Sequence, residues 1–205
     1  MSLNADLYFK KINIARYCHE TCEICRVNSF DEFVSKLKLG NIKNGLCPHW
    51  SKDKLHRFFQ VTQMETSLPR TPSVDVPMPS ATGLFDLNDA DESSPLLITG
   101  NSQFTVEVLS AVLSLTKSPF RLLCVDTQGD TVDMAMIYKT MTASKIAEAL
   151  NKEFLQSPPS CRIVLPGLAG PLAEELRSLK YQTVEVGPIC AAELPLYMGD
   201  YWIPA

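Results

Sequence analysis

From residue 95 onward, short apolar runs alternate with stretches of helical periodicity, and no other feature restricts the fold of this chain as much. Leu96–Thr99, Arg121–Val125, Arg162–Leu165 and Thr183–Val186 read as strands. Between them, Ser102–Leu115 sets Phe104, Val108, Val112 and Leu115 on one helical face, and Thr142–Phe154 stacks Ile146, Leu150 and Phe154 behind a Thr142 cap. Pro171–Leu179 is a helix with proline in its first turn, and Ala191–Met198 is a short final one. The alternation predicts right-handed crossovers and a small doubly wound parallel sheet of about four strands, an α/β fold. Ligands of such sheets bind outside the carboxyl ends of the strands. Here those ends are Thr99-Gly100-Asn101, Asp126-Thr127-Gln128-Gly129, Pro166-Gly167 and Gly187-Pro188. Each holds a glycine, which serves an ordinary turn as well as a close approach to a ligand. No dinucleotide, Walker-type or nucleophile-elbow motif is present.

The amino-terminal part has a different chemistry. Cys18, Cys22, Cys25 and Cys47 fall in the spacing C-x3-C-x2-C-x21-C, and the last opens Cys47-Pro48-His49-Trp50. Thiolates this close suit a soft metal or an iron–sulfur cluster. Ser29-Phe30-Asp31-Glu32 has the form of a capping box, and Phe30, Phe33, Val34 and Leu37 continue it as one apolar helix face. That helix can fold Cys47 back towards Cys22 and Cys25. Structural zinc usually shows two close ligand pairs, and this chain shows one pair and two singletons, so a [4Fe–4S] cluster leads zinc. Buried reduced thiols are the bland alternative. Cys124, Cys161 and Cys190 lie in or beside apolar runs and read as core.

Residues 65–95 hold Pro69, Pro72, Pro77, Pro79 and Pro95 and an acidic stretch from Asp86 to Glu92, which is the composition of a linker. The expected organisation is a cysteine module over 1–60, a linker over 61–94 and an α/β domain over 95–205. Residues 1–60 carry ten Lys/Arg against six Asp/Glu, and residues 61–205 nine against seventeen. The basic module lacks a dense cationic run with interleaved aromatics, so nucleic acid is not an expected partner. Its charge offsets a thiolate-ligated cluster or steers an acidic partner as readily. No apolar run reaches membrane-helix length and no export signal is visible, so the expected setting is a reducing cytoplasm without a membrane.

Residues 95–198 resemble the carboxy-terminal domain of the large subunit of the corrinoid/iron–sulfur protein, a methyl carrier of the acetyl-CoA synthase/CO dehydrogenase pathway. The likeness runs through Pro95–Asn101, Val125–Gly129, Lys139, Thr142–Leu150, Val164–Gly167, Val186–Pro188 and Ala192–Pro195, in order. It implies a corrinoid (cobalamin-type) cofactor held by the strand-end loops, with Thr99, Asn101, Asp126, Thr127, Gly129, Lys139, Pro166, Gly167, Gly187 and Pro188 as candidate contacts. The first module resembles the small iron–sulfur domain of the same subunit through Thr21–Cys25, Phe33–Leu37 and Cys47–His49. Where that family has a cysteine five residues after Cys25, this chain has Phe30, and Cys18 is the nearest substitute.

Two other departures bear on function. The family's barrel domain has no counterpart between the two parts. The family's small-residue cap beneath the corrinoid reads here Asp130–Tyr138, with Met136, Ile137 and Tyr138 in place of small residues. Those side chains either fill the corrinoid shelf or sit on a cap that has moved away. Two functions follow: an iron–sulfur protein acting in electron transfer or corrinoid-dependent methyl transfer, or a non-catalytic binding and assembly protein with a degenerate corrinoid site and a structural metal. The resemblance implies a protein partner, namely a corrinoid-protein small subunit, a methyltransferase or a redox protein. No acid–base or nucleophilic constellation marks a self-contained enzyme.

Overall fold

The structure is a computed structural model. It describes residues 2–4, 8–12, 14–17, 35, 51–68, 70–72, 77–155 and 157–205. The strands are β1 (Ser2–Asn4), β2 (Arg70–Pro72), β3 (Gly83–Leu87), β4 (Leu96–Gly100), β5 (Phe120–Val125), β6 (Ile163–Leu165) and β7 (Val184–Val186). The α-helices are α1 (Lys52–Ser67), α2 (Gln103–Leu113), α3 (Val132–Ile137), α4 (Ala143–Glu153), α5 (Ala173–Ser178) and α6 (Leu194–Tyr197).

The main sheet runs β3-β5-β4-β6-β7. Strands β4 to β7 are mutually parallel, as the alternation predicts, and β3 adds an antiparallel edge on β5. The sheet is therefore mixed and five-stranded rather than parallel and four-stranded. Every residue of β4 and β5 is buried, which suits strands covered on both faces. Alternate residues serve alternate cores. Leu96, Ile98, Leu123, Val125, Ile163 and Leu165 pack with α3, α4 and α5. Leu97, Phe120, Leu122, Cys124 and Val164 pack with α2, Met64 of α1, and the carboxy-terminal Met198 and Trp202. Thr142 caps α4 by accepting a hydrogen bond from the Lys145 N–H at 3.3 Å.

Besides β2, two elements fall where the composition reads as linker. The second half of α1 is one, and β3 is the other. Strand β3 lies between prolines and acids, and its Leu84 packs on the core while Asp86 pairs with Arg121. Helix α1 buries Leu55, Phe58, Val61 and Met64. Gln60 ties it down: its Nε2 donates to the Leu115 carbonyl at 2.8 Å, and its Oε1 accepts from Trp202 Nε1 at 2.9 Å. Arg57, also buried, donates to Asp200 at 2.9 Å. Strands β1 and β2 form a separate antiparallel pair.

Candidate functional site

Strand β4 is followed by a connection to its neighbour on one side, β5, and the chain returns to its neighbour on the other side, β6. The carboxyl ends of β4 and β6 thus flank the topological switch point, where doubly wound sheets open a crevice. A cavity of about 500 Å³ lies there, within the range that holds a small-molecule ligand. Its floor is Leu97–Thr99 and Val164–Pro166. One wall is the first turns of α2, from Ser102 to Leu109, and the other is Gly129–Met134 with Tyr138. Pro188 to Ala191 closes one end. The lining is mostly apolar.

The loops around the crevice are held in place by contacts among themselves. Asn101, buried, spends its whole side-chain amide on this task. Its Oδ1 accepts from the backbone N–H of Thr127 at 2.9 Å, that of Gly129 at 3.2 Å, and the Thr127 hydroxyl at 3.2 Å. Its Nδ2 donates to the Ser80 carbonyl at 3.1 Å. Thr127 also donates to the Asp130 carbonyl at 2.9 Å. Gly129 has φ +85°, and a Cβ there would lie 2.5 Å from the Pro79 nitrogen, so the proline-rich arm packs directly on this turn. On the other side the Gly167 N–H donates to the Pro188 carbonyl at 2.9 Å, and the Gly187 N–H to the Leu165 carbonyl at 2.8 Å. A Cβ on Gly167 would come within 2.7 Å of the Ile189 nitrogen.

The structure divides the ten candidate corrinoid residues. Thr99, Gly129, Pro166 and Pro188 line the crevice. Asn101, Thr127, Gly167 and Gly187 build the loops that shape it. Asp126 is exposed, and its carboxylate accepts from the Gln128 N–H at 2.9 Å, as a turn-forming Asp does. It faces a second, smaller depression with Lys145, Glu148 and Lys152. Lys139 is exposed and ends α3 in the left-handed region at φ +59°.

Of the three bulky residues of the cap, Met136 and Ile137 lie outside the crevice lining and Tyr138 is part of it. The stretch from Val132 to Ile137 coils into α3, so its side chains diverge by helical geometry. Met136 packs half-buried on the core beneath, Ile137 points to solvent at 68% exposure, and Tyr138 stands at the crevice rim at 61%. Met134, which the sequence does not single out, lines the wall instead.

Tyr8 and Asp133 are also crevice residues that sequence reasoning misses, because the two lie far apart in the chain. The Tyr8 hydroxyl donates to Asp133 Oδ2 at 2.9 Å. Burial and this carboxylate push the Tyr8 phenol up to about 12. Burial works to raise Asp133, but hydrogen bonds from the Thr131 and Tyr8 hydroxyls prevail and hold its carboxyl below the usual range. Cys190 lines the crevice, and Cys124 and Cys161 lie in the cores; all three are buried. Burial pushes the Cys124 thiol up to about 11.

Cys18, Cys22, Cys25 and Cys47 lie outside the described residues, as does the helix expected after Ser29, Ser35 apart. Among the described residues no group of His, Cys, Asp and Glu is placed to hold a metal, and no helix is long and apolar enough to cross a membrane. His56, the one described histidine, is exposed on α1.

Comparison with known proteins gives one family and a consistent set of relatives. Residues 59–198 match the CO dehydrogenase/acetyl-CoA synthase delta subunit family. Acetyl-CoA decarbonylase/synthase complex subunit gamma 2 of Methanosarcina thermophila is 31% identical over 140 residues, which is 66% of this chain and 29% of that protein. The corrinoid/iron-sulfur protein large subunit of Moorella thermoacetica is 32% identical over 114 residues, 55% of this chain and 26% of that protein. The matched stretch is thus under a third of these relatives' length. The family match covers the crevice lining apart from Tyr8 and excludes the four cysteines before residue 59.

Proposed function

This chain belongs to the CO dehydrogenase/acetyl-CoA synthase delta subunit family, and from that premise we propose that it is a corrinoid-binding carrier component. The observation that carries the reading is the apolar crevice at the switch point, in the place where the resemblance puts a cofactor. The residues present fit one face of a planar macrocycle. Thr99, Pro166 and Pro188 offer a compact floor and end wall, and Met134 and Tyr138 give a soft, adaptable edge. Among the described residues no imidazole lines the crevice, so these side chains would cradle the ring rather than ligate its metal. A bound corrinoid supplies a cobalt that takes up and gives away a methyl group. The chain's own residues exclude water from that face and fix the ring against the rigid strand ends.

The proposal extends to the amino-terminal part. Four thiolates at Cys18, Cys22, Cys25 and Cys47 form a donor set suited to a [4Fe–4S] cluster, with zinc as the alternative. On this reading residues 1–60 carry the electron-relay module and 95–205 the corrinoid domain, with 61–94 joining them and adding β3 to the domain's sheet, in the cytoplasm. The partner is a corrinoid-protein small subunit, a methyltransferase or a redox protein. Iron and acid-labile sulfide on anaerobically prepared protein, lost together in Cys22→Ala, would support the cluster. Stoichiometric zinc without sulfide would replace it.

A second reading rests on the rim. Ile137 and Tyr138 stand exposed beside the crevice, as they would on an assembly module whose partner covers the opening. Titration with cobinamide separates the two. Corrinoid binding requires a spectral shift and co-elution of one cobinamide per chain. Absence of both from folded protein leaves the assembly role.

A further inference from the structure

We infer that residues 8–12 and 14–17 form a strap whose Tyr8 bars the mouth of the crevice and must lift for a large ligand to seat. The inference deepens the corrinoid reading and rests on it for the identity of the ligand. It begins with Glu193, which is 4% exposed. A buried carboxylate is costly without partners. Among the described residues, both partners of this one come from the strap: the Tyr17 hydroxyl donates to its Oε1 at 2.7 Å, and Arg16 lies 3.6 Å away. The strap is therefore a built partner of the α/β domain rather than a chance neighbour. Glu193 sits in the 3₁₀ turn Ala191–Glu193, which continues the end wall of the crevice.

The other end of the strap crosses the opening. The Tyr8 ring packs with the core on the α2 side of the sheet. Its hydroxyl reaches Asp133 in the first turn of α3, on the opposite side. One phenol thus bridges the two walls. Phe9 and Ile12 pack on the α2-side core between the two anchors, which gives the strap an apolar underside. With this bar in place the cavity is about 500 Å³. That volume suits a drug-sized molecule, and a corrinoid with its amide side chains is a much larger body. Lifting Tyr8 opens the crevice along its length.

The test uses the full chain as Tyr8→Phe, Tyr17→Phe and the double variant, which keep both rings and lose only the hydroxyls. Two readouts are taken at matched urea stability: the rate of tryptic cleavage at Lys11 and Arg16, and the rate of cobinamide association. In the double variant cleavage should be at least about five-fold faster, and association faster by a similar factor. Cleavage unchanged from wild type would overturn the strap, as would association that is equal or slower. If no protein binds cobinamide while cleavage accelerates as expected, the corrinoid reading falls, and the strap stands as a closure over a crevice for some other ligand.

Discussion

The two ends of the main sheet treat buried polar groups in opposite ways. At the carboxyl end, Asn101 satisfies backbone and hydroxyl donors from β5's following turn and donates to Ser80. At the amino end, Arg121 is also buried but under-used. Its Nε donates to Asp86 at 3.1 Å and its guanidinium lies 4.9 Å from the Phe154 ring centre, yet its Nη1 has no partner among the described residues. The carboxyl end is a finished frame around an opening. The amino end is a plug of adequate rather than complete interactions. Rigidity is spent where loops must hold a ligand-sized space open, and the other end needs only to exclude water.

The sharpest way to break this comparison is Asn101→Ala. Two buried N–H groups, of Thr127 and Gly129, lose their acceptor, and each orphaned donor costs about 1–3 kcal/mol. We expect a loss of about 3 kcal/mol in urea unfolding, set by those two donors. A loss under about 1 kcal/mol would show that the turn re-pairs with water and that the frame is not closed. Next in size is Val108→Trp, on the α2 wall of the crevice. The indole fills space that is open, so stability should stay within about 1 kcal/mol while cobinamide affinity falls at least about ten-fold, or 1.4 kcal/mol. Unchanged affinity would place the ligand elsewhere.

At the amino end, Arg121→Leu should change stability by less than about 1 kcal/mol in either direction, because a half-exposed Asp86 is the only charge left behind and an orphaned group is removed with it. A loss above about 3 kcal/mol would mean that the plug is as finished as the frame. The smallest effect concerns the Tyr8–Asp133 bridge. The Tyr8 phenol is raised from near 10 to about 12, so its bond contributes fully below pH 10 and is lost as pH climbs through about 12. The lowered Asp133 carboxyl has the opposite sign: its contribution is present above the ordinary carboxylate range and lost as pH falls through its folded value. Ultraviolet titration of wild type against Tyr8→Phe should show one phenol ionising near pH 12. A midpoint near 10 would show that the bridge does not form.

Much of this was readable from local sequence. Strands β4 to β7 appear within a residue or two of their expected ends, and Thr142 caps α4 as its position before an apolar stripe suggests. Strand β3 was hidden because its Leu84 and Asp86 sit among prolines and acids, and only pairing with β5 rescues so short a segment. Helix α3 was hidden because its six residues, from Val132 to Ile137, are too few to show a period.

The sequence by itself determined the α/β class, the order of the parallel strands along the chain, the glycine-bearing turns at their carboxyl ends and the grouping of four cysteines before residue 50. These are set by periodicity and spacing, which are local and survive in a string of letters. Only the tertiary structure decided that a crevice lies between these walls, that Met136 packs below it while Tyr138 stands at its rim, that Asn101 and Thr127 frame it, and that Tyr8 bars it. A cavity is what remains between walls contributed by residues from 8 to 194, and its shape depends on how far each side chain reaches. No window of sequence contains those distances.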